Sequence, residues 1–321
     1  MDASSPFHAG EQRLQSHAGM RERLEAVGRV AVRDHMPDQH RELFGKLPTL
    51  FVAAQDDQGQ PWATLLHGAP GFVTTPDART LRIEARLVAD DPTTPWLAQG
   101  AAVGVLGLEP HTRRRNRANG RVRAVTAEAL EIEVLQSFGN CPKYIHAREP
   151  QAVAQPSPPP AARRLGPALD DATLALLRRA DTLFIASASA AGLASNDGTD
   201  RSQGVDVSHR GGRPGFLRIE VDPAAGSAVR LTMPDYTGNF FFNTLGNLAA
   251  WPRAGLLVPD YADGSLLHLA ADARIELEGE ALAEFPGALR LLRLDVRAAW
   301  WRERALPLRW SAAVAPVQFA A

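Results

Sequence analysis

The chain has 321 residues, of which 45% are hydrophobic and 22% charged, so it is long enough for two ordinary domains with apolar cores. Its formal net charge of −1 argues against a global basic field for nucleic acid, and its single cysteine, Cys141, excludes an internal disulfide. No apolar run reaches the length of a membrane span, and the first residues lack the pattern of a secretory signal. These features predict a cytoplasmic protein whose partners include neither nucleic acid nor a membrane.

The N-terminal segment, residues 1–45, is predicted to be helical. Apolar residues between 11 and 33 follow mostly helical spacing, which Gly19 and Gly28 weaken. A second short helix is predicted at 38–44, with Asp38 as its cap. Short apolar or alternating runs between Gly, Asp and Pro turns then predict six strands, at 50–54, 62–67, 80–83, 102–108, 113–125 and 130–135.

An internal repeat is the strongest architectural signal in the chain. Its matching stretches keep their order: TLFVAA at 49–54 with TLFIAS at 182–187, PGFV at 70–73 with PGFL at 214–217, and ANGRV at 118–122 with ADARI at 271–275. This pattern predicts two barrel-like units, 46–148 and 169–321, joined by a Pro/Ala-rich linker at 149–168 and forming an intramolecular pseudo-dimer. The fold class is therefore mainly β with a few helices. Asn119-Gly120 alone suggests a tight hairpin, but its counterpart in the second copy, Asp272-Ala273, has no such turn chemistry. We therefore expect one continuous strand there, with a bulge at Gly120.

The stretch GVDVSHRGGRPGFLRI, residues 204–219, is the first candidate site. Arg210 and Arg213 flank two glycines, and guanidinium groups bind phosphate bidentately where glycine exposes the backbone. A plain turn with solvated arginines is the alternative. Ser208 and His209 do not form a nucleophile–base pair, because neighbours on a strand face apart.

The stretch MPDYTGNFFFNTLGNL, residues 233–248, adds a second candidate. It predicts a strand through 240–242 that leads into Asn243 and Thr244, which can cap a following helix. A helix start after a strand is a ready anion site, although simple capping is the alternative. Together with the arginines before it, this stretch favours an anion site, whereas the matching part of the first copy, ARLVADDPTT, is acidic and argues against one there.

A dense cationic strand, RRRNRANGRVR at 113–123, is the third candidate. Arg115 and Arg117 share one face and Asn116 lies on the other. Such a strand is usually a solvated face; it can also be the first half's contribution to the second half's pocket. Lys143 stands beside Cys141, for which a packed thiol is the commoner fate. The sequence has no Cys/His cluster at metal-ligand spacing, so no metal site is predicted.

These motifs resemble the pyridoxamine 5′-phosphate oxidase-like superfamily and, more narrowly, its predicted flavin-nucleotide-binding branch. The resemblance rests on SHRGGRPGF, TGNFFFNTLGNLAAWPRAGLL, TRRRNRANGRV and SFGNCPKYI, together with the duplicated core. It implies tandem FMN-binding split β-barrels, with FMN held between them. Carried over to this chain, the cofactor-binding residues are Ser208, Arg210, Arg213, Asn239, Asn243, Thr244, Arg115, Asn116, Arg117 and Lys143.

The function implied by the resemblance is an FMN-dependent oxidoreductase acting on a small-molecule substrate. The chain departs from pyridoxamine 5′-phosphate oxidase at Asn243-Thr244-Leu245, where that enzyme has a Ser-Arg-Lys run, so oxidation of pyridoxamine phosphate is not supported. The alternative is a non-enzymatic carrier or sensor that binds flavin or haem. The substrate, an electron donor, the number of sites and a homodimer are left open, and no residue is identified as catalytic.

Overall fold

The computed structural model describes residues 5–154, 160–190 and 200–319. Within these residues the chain is mainly β with a few helices, as predicted. Its α-helices are α1 (Ala9–His17), α2 (Arg21–Ala31), α3 (Asp38–Lys46), α4 (Asp171–Arg179) and α5 (Asn243–Ala250). None of the helices in this part of the chain is long and apolar enough to cross a membrane.

Two large antiparallel sheets have the same strand order. The strands of the first half are β1 (Thr49–Gln55), β2 (Pro61–His67), β3 (Val73–Asp77), β4 (Thr80–Ile83), β5 (Ala102–Glu109), β6 (Arg114–Val125) and β7 (Leu130–Gly139). Those of the second half are β10 (Thr182–Ala188), β11 (Val205–Gly211), β12 (Arg218–Asp222), β13 (Ala228–Asp235), β14 (Arg253–Pro259), β15 (Leu266–Glu276), β16 (Arg290–Arg302) and β17 (Leu308–Trp310). The first sheet runs β2-β1-β5-β6-β7-β4-β3 and the second runs β11-β10-β14-β15-β16-β13-β12.

The connecting segment is tied to the second half by two short strands. They are β8 (Pro150–Ala152), which pairs with β17, and β9 (Arg163–Leu165), which pairs with β16. Residues 155–159 of the predicted linker lie outside the described residues. Where the chain is described, the two ends of the linker are therefore anchored by backbone pairing.

Several local predictions can be compared with the structure. The register of β6 against β7 shifts between Asn119 and Gly120, so the predicted bulge is confirmed. The first sheet has seven strands rather than the predicted six, because β3 was missed, and the second sheet has eight strands when β9 is included. Asp38 is the first helical residue of α3 rather than its cap, which is Pro37. The strand predicted at 240–242 is wrong: Phe240 and Phe242 have φ of 60° and 64°, a left-handed conformation that a strand excludes.

The two halves meet through equivalent residues. The rings of Phe51 on β1 and Phe184 on β10 stack with centroids 3.5 Å apart inside a buried apolar cluster drawn from both halves. Gly104 and Gly255 let the two sheets approach closely. A Cβ at Gly104 would lie 2.7 Å from Cα of Asp206, and one at Gly255 would lie 2.2 Å from the carbonyl oxygen of Pro61. This close packing brings β6 of the first half next to β11 of the second.

Candidate functional site

Strand pairing places Arg210 and Leu66 at matching positions of the two halves. Arg210 pairs with Leu183 across β10 and β11, and Leu66 pairs with Leu50 across β1 and β2. Ser208 on β11 likewise corresponds to Thr64 on β2. The cationic side chain is therefore present in one half and replaced by leucine in the other.

A recess beside Arg210, which we call the arginine pocket, lies between the two halves. It has a volume of about 90 Å³, and the residues that line it are Arg117, Ser208, His209, Arg210, Asp235, Tyr236, Gly238, Asn239, Phe240, Phe242, Asn243, Thr244, Leu245 and Arg290. All of these except Arg117 come from the second half. Since a water molecule needs roughly 10–15 Å³ by this measure, the recess has room for a phosphate-sized group.

Arg117 reaches from β6 of the first half into a hydrogen-bonded network of the second half. Its Nη1 donates to Oδ1 of Asn243 at 2.8 Å and lies 3.2 Å from Oδ1 of Asp206, while Nη2 donates to Ser208. The Ser208 hydroxyl donates to Asp206 at 2.9 Å and accepts from Thr244 at 2.8 Å. Asp206 and Ser208 lie on one face of β11, as the strand period predicts.

A second ion-pair group closes the other side of the arginine pocket. Asp235, at the end of β13, accepts from Nη1 of Arg210 at 2.8 Å, and its other oxygen lies 3.2 Å from Nε of Arg290. Asp235 and Arg290 are register partners on β13 and β16. The guanidinium of Arg290 also lies 4.8 Å from the ring centroid of Phe242.

Positive charge exceeds negative charge around the pocket. Arg115 lies behind it, donating to the carbonyl of Cys141 at 2.8 Å. Burial and the neighbouring Arg117 and Arg210 lower the pKa of Arg115 to about 9, so it is still charged at neutral pH. The guanidinium groups in and behind the pocket are four, those of Arg115, Arg117, Arg210 and Arg290, and the carboxylates are two, those of Asp206 and Asp235. The pocket therefore has an excess of about two positive charges at neutral pH. That excess suits a dianion.

Several buried nitrogens that line the pocket are left without a hydrogen-bond partner among the described residues. They are Nε of Arg117, Nε of Arg210 and both ring nitrogens of His209. Burial, with Arg115, His146 and Arg210 nearby, holds the pKa of His209 well below its ordinary value, so the imidazole is neutral at neutral pH. Buried donors of this kind are costly unless a ligand or water satisfies them.

The backbone around the pocket is held in an uncommon conformation. Phe240 and Phe242 line the pocket with left-handed φ, and Tyr144, whose hydroxyl donates to the carbonyl of Thr237 at 3.0 Å, has φ of 67°. Left-handed conformations of bulky residues cost on the order of 1–3 kcal/mol each and concentrate at binding sites. Phe240 and Phe242 let the loop after β13 turn sharply into α5, whose first turn lines the arginine pocket.

The N-terminal helix supplies a residue that sequence reasoning missed. Glu11, in the first turn of α1, is 4% exposed and accepts from Nδ2 of Asn243 at 2.6 Å and from the backbone N–H of His8 at 2.9 Å. Burial raises the pKa of Glu11 to about 8, against the opposing effect of those hydrogen bonds. At neutral pH this carboxyl is therefore mostly protonated and adds little negative charge.

The predicted site residues divide into two groups. Arg117, Ser208, Arg210, Asn239, Asn243 and Thr244 line the arginine pocket, and Arg115 lies behind it. Arg213 lies in the exposed turn after β11, Lys143 is not among the lining residues, and Asn116 lies against Gly139 on the opposite face of β6. Asp235, Arg290, His209 and Glu11 were missed. The alternation along β11 is a sequence signal for His209 alone, and it did not reveal that this side chain is buried at the junction of the halves.

The equivalent place in the first half holds a larger cavity of about 540 Å³. Its charged lining residues include Arg86 and Arg302 beside Asp90, Asp91 and Glu303. Asp91, which is 3% exposed, accepts from Arg302 at 2.5 Å and from Thr64. His268 occupies the position that corresponds to Arg117, as the pairing of Leu257 with His268 and of Leu106 with Arg117 shows. This cavity has no excess of positive charge, in agreement with the acidic character read from its sequence.

Residues 36–160 match the family model described as pyridoxamine 5′-phosphate oxidase. This matched stretch, which is less than half of the chain, is similar to that family. The match to this family covers the first sheet and ends in the connecting segment, while the second half has the same strand order. A search of curated proteins found no match.

Three solved structures with some likeness to this chain each align with less than half of it. A candidate pyridoxamine 5′-phosphate oxidase from Lactobacillus delbrueckii has a TM-score of 0.29 and 15% identity, covering 41% of this chain and 93% of its own. HupZ of Group A Streptococcus has a TM-score of 0.26 and 12% identity, covering 32% and 93%. A FAD-binding protein of Mesorhizobium loti has a TM-score of 0.24 and 15% identity, covering 44% and 96%. These scores are too low to support an inference about ligand or activity.

Proposed function

We propose that this chain is a flavoprotein that holds the phosphate of FMN in the arginine pocket and acts as an oxidoreductase on a small molecule. The observation that carries the proposal is the pocket's excess positive charge together with the unpartnered nitrogens of its arginines. A phosphate monoester carries between one and two negative charges at neutral pH and offers three strong acceptor oxygens. Such a phosphate would offset the excess positive charge and would accept hydrogen bonds from the unpartnered arginine nitrogens.

The residues of the pocket fit the phosphate end of the cofactor. The cations that line it are Arg117, Arg210 and Arg290, and Ser208, Asn243 and Thr244 offer neutral donors. The first turn of α5 is uncharged, so the cations that pyridoxamine 5′-phosphate oxidase places there are supplied in this chain by strands. At about 90 Å³ the recess is too small for a whole nucleotide, and the rest of the molecule has to extend beyond it.

When bound, FMN would supply hydride transfer, and the protein's part is to hold and orient it. The oxidoreductase part of the proposal rests on the resemblance of residues 36–160 to the pyridoxamine 5′-phosphate oxidase family, since no described residue near the pocket stands out as a general acid or base. Steady oxidation of a reduced nicotinamide cofactor by the loaded protein would support this part of the proposal. A loaded protein without turnover would instead indicate a carrier or sensor.

A matched pair of variants tests the binding site. Arg210→Ala should weaken FMN binding, because loss of one charge-assisted contact costs about 1.5–3 kcal/mol, or roughly ten- to a hundredfold in Kd. Leu66→Ala changes the equivalent position of the first half and should leave FMN binding unchanged. Fluorescence titration of FMN measures both. Equal affinities for wild type and Arg210→Ala would remove Arg210 from the site.

A further inference from the structure

Glu11 lies one hydrogen bond away from the arginine pocket. Its Oε1 accepts from Nδ2 of Asn243 at 2.6 Å, and Oδ1 of the same asparagine accepts from Arg117 at 2.8 Å. Asn243 lines the arginine pocket, and it also lines a second small recess into which Glu11 and Asp206 face. The amide of Asn243 therefore connects a buried carboxyl to a pocket cation.

The position of α1 makes this connection stable. A Cβ at Gly10 would lie 2.2 Å from the carbonyl oxygen of Gly246, and one at Gly246 would lie 2.4 Å from Cγ of Glu11. The two helices thus touch at a pair of glycines. His8 caps α1 in a capping box with Glu11, and its Nε2 lies 2.9 Å from Oδ1 of Asn247 on α5. Glu11 is fixed against the start of α5 by backbone contact as well as by hydrogen bonds.

Building on the proposed function, we propose that Glu11 is a positioning residue that acts through Asn243: its protonation state sets how strongly Arg117 attracts the dianionic phosphate. With the carboxyl protonated, Asp206 is the main countercharge of Arg117. With the carboxyl ionised, Glu11 becomes a further countercharge, and the excess positive charge of the pocket falls by one unit. A bound dianion in turn favours the protonated carboxyl, since the two effects are reciprocal.

The groups around Glu11 favour this behaviour. Burial and the carboxylate of Asp206 raise its pKa, which places its ionisation near pH 8, while Arg117 opposes them. Among the described residues, the charged or titratable groups that share its surroundings, from every element packed there, are His8, Arg117, Arg121, Asp200, Arg201 and Asp206. Burial lowers the pKa of His8, so this imidazole stays neutral between pH 7 and pH 9.

The test is a titration of wild type and Glu11→Gln with FMN and with sulfate, from pH 7 to pH 9. Sulfate is dianionic over the whole range, so it separates the pocket's titration from that of the ligand. If anion binding raises the pKa of Glu11 by about one unit, the affinity of wild type for the anion should fall about fivefold from pH 7 to pH 9. Glu11→Gln, which mimics the protonated carboxyl, should bind with constant affinity. Glu22→Gln, on the exposed face of α2, should behave as wild type.

The wild-type chain also provides a test that does not depend on a variant folding. Calorimetric titration with sulfate at pH 8, in buffers of different protonation enthalpy, should show uptake of a fraction of a proton. Absence of proton uptake overturns the role of Glu11, as does an affinity that stays constant across the pH range in wild type. Sulfate binding with the expected pH dependence, but without FMN binding, supports Glu11 and overturns the flavin function. Failure of both ligands to bind overturns both.

Discussion

Asp235→Asn tests the charge balance of the arginine pocket, because it removes one of two carboxylates while keeping the shape of the side chain. The oxygens of Asp235 lie 2.8 Å from Nη1 of Arg210 and 3.2 Å from Nε of Arg290. Removing one partner of a buried ion pair costs about 3–5 kcal/mol. Asparagine keeps one acceptor oxygen, so we expect the free energy of unfolding to fall by about 3 kcal/mol.

The same substitution should strengthen anion binding, since the excess positive charge of the pocket rises by one unit. A dianion would then contact guanidinium groups that have lost their carboxylate. We expect sulfate to stabilise Asp235→Asn by about 1.5 kcal/mol more than it stabilises wild type, the lower value for a charge-assisted hydrogen bond. Urea unfolding with and without sulfate, at constant ionic strength, measures both quantities.

Asp295→Asn is the control for this experiment. Asp295 pairs with Arg230 at 2.6 Å between the exposed faces of β13 and β16, where an ion pair contributes about 0–1 kcal/mol. It should change stability little and leave the sulfate response as in wild type. An equal gain from sulfate in Asp235→Asn and Asp295→Asn would refute the excess positive charge assigned to the pocket.

Two further predictions concern the rest of the fold. Because the pKa of Glu11 is raised to about 8 from an ordinary 4.5, the folded state retains a proton that the unfolded chain releases, and stability should decline as pH rises from about 4.5 to 8. Urea unfolding at pH 5, 6.5 and 8 should show this decline in wild type and a flatter profile in Glu11→Gln; parallel profiles would contradict it. Gly255→Ala should lower the free energy of unfolding by about 1–3 kcal/mol, since its Cβ would press on the backbone of Pro61. Gly45→Ala, whose Cβ meets only the carbonyl oxygen of Val73 at 4.0 Å, should be neutral or stabilising, and equal losses in the two variants would disprove the close approach of the sheets.

Much of the fold could be predicted because its strands are short, alternating and repeated. The repeat of TLFVAA and TLFIAS identifies β1 and β10, which occupy matching places in two sheets of the same order. The strand β3 escaped detection because VTTPD is short, polar on most positions and ends in turn-forming residues. The segment at 240–242 reads as a strand from its three phenylalanines, but these side chains pack into two apolar clusters with residues of α1, α2, β7 and α5 and not through strand pairing.

The site could be predicted only in part, because its members meet through long-range pairing. Arg117, Ser208 and Arg210 lie on strands whose alternation shows which face they occupy. Arg290 meets Asp235 only through the register of β13 with β16, which the sequence does not specify. Glu11 joins the network because α1 packs on α5, a contact between segments more than two hundred residues apart. Periodicity along one element carries no information about either contact.

The most direct test of the central claim compares FMN with riboflavin, which lacks the phosphate. If the arginine pocket binds the phosphate through at least two charge-assisted contacts, FMN should bind more tightly by about 3 kcal/mol, or roughly a hundredfold in Kd. Fluorescence titration of the purified chain with each flavin, in a buffer without phosphate or sulfate, gives the ratio. Equal affinities for the two flavins, or no binding of FMN, would contradict the account.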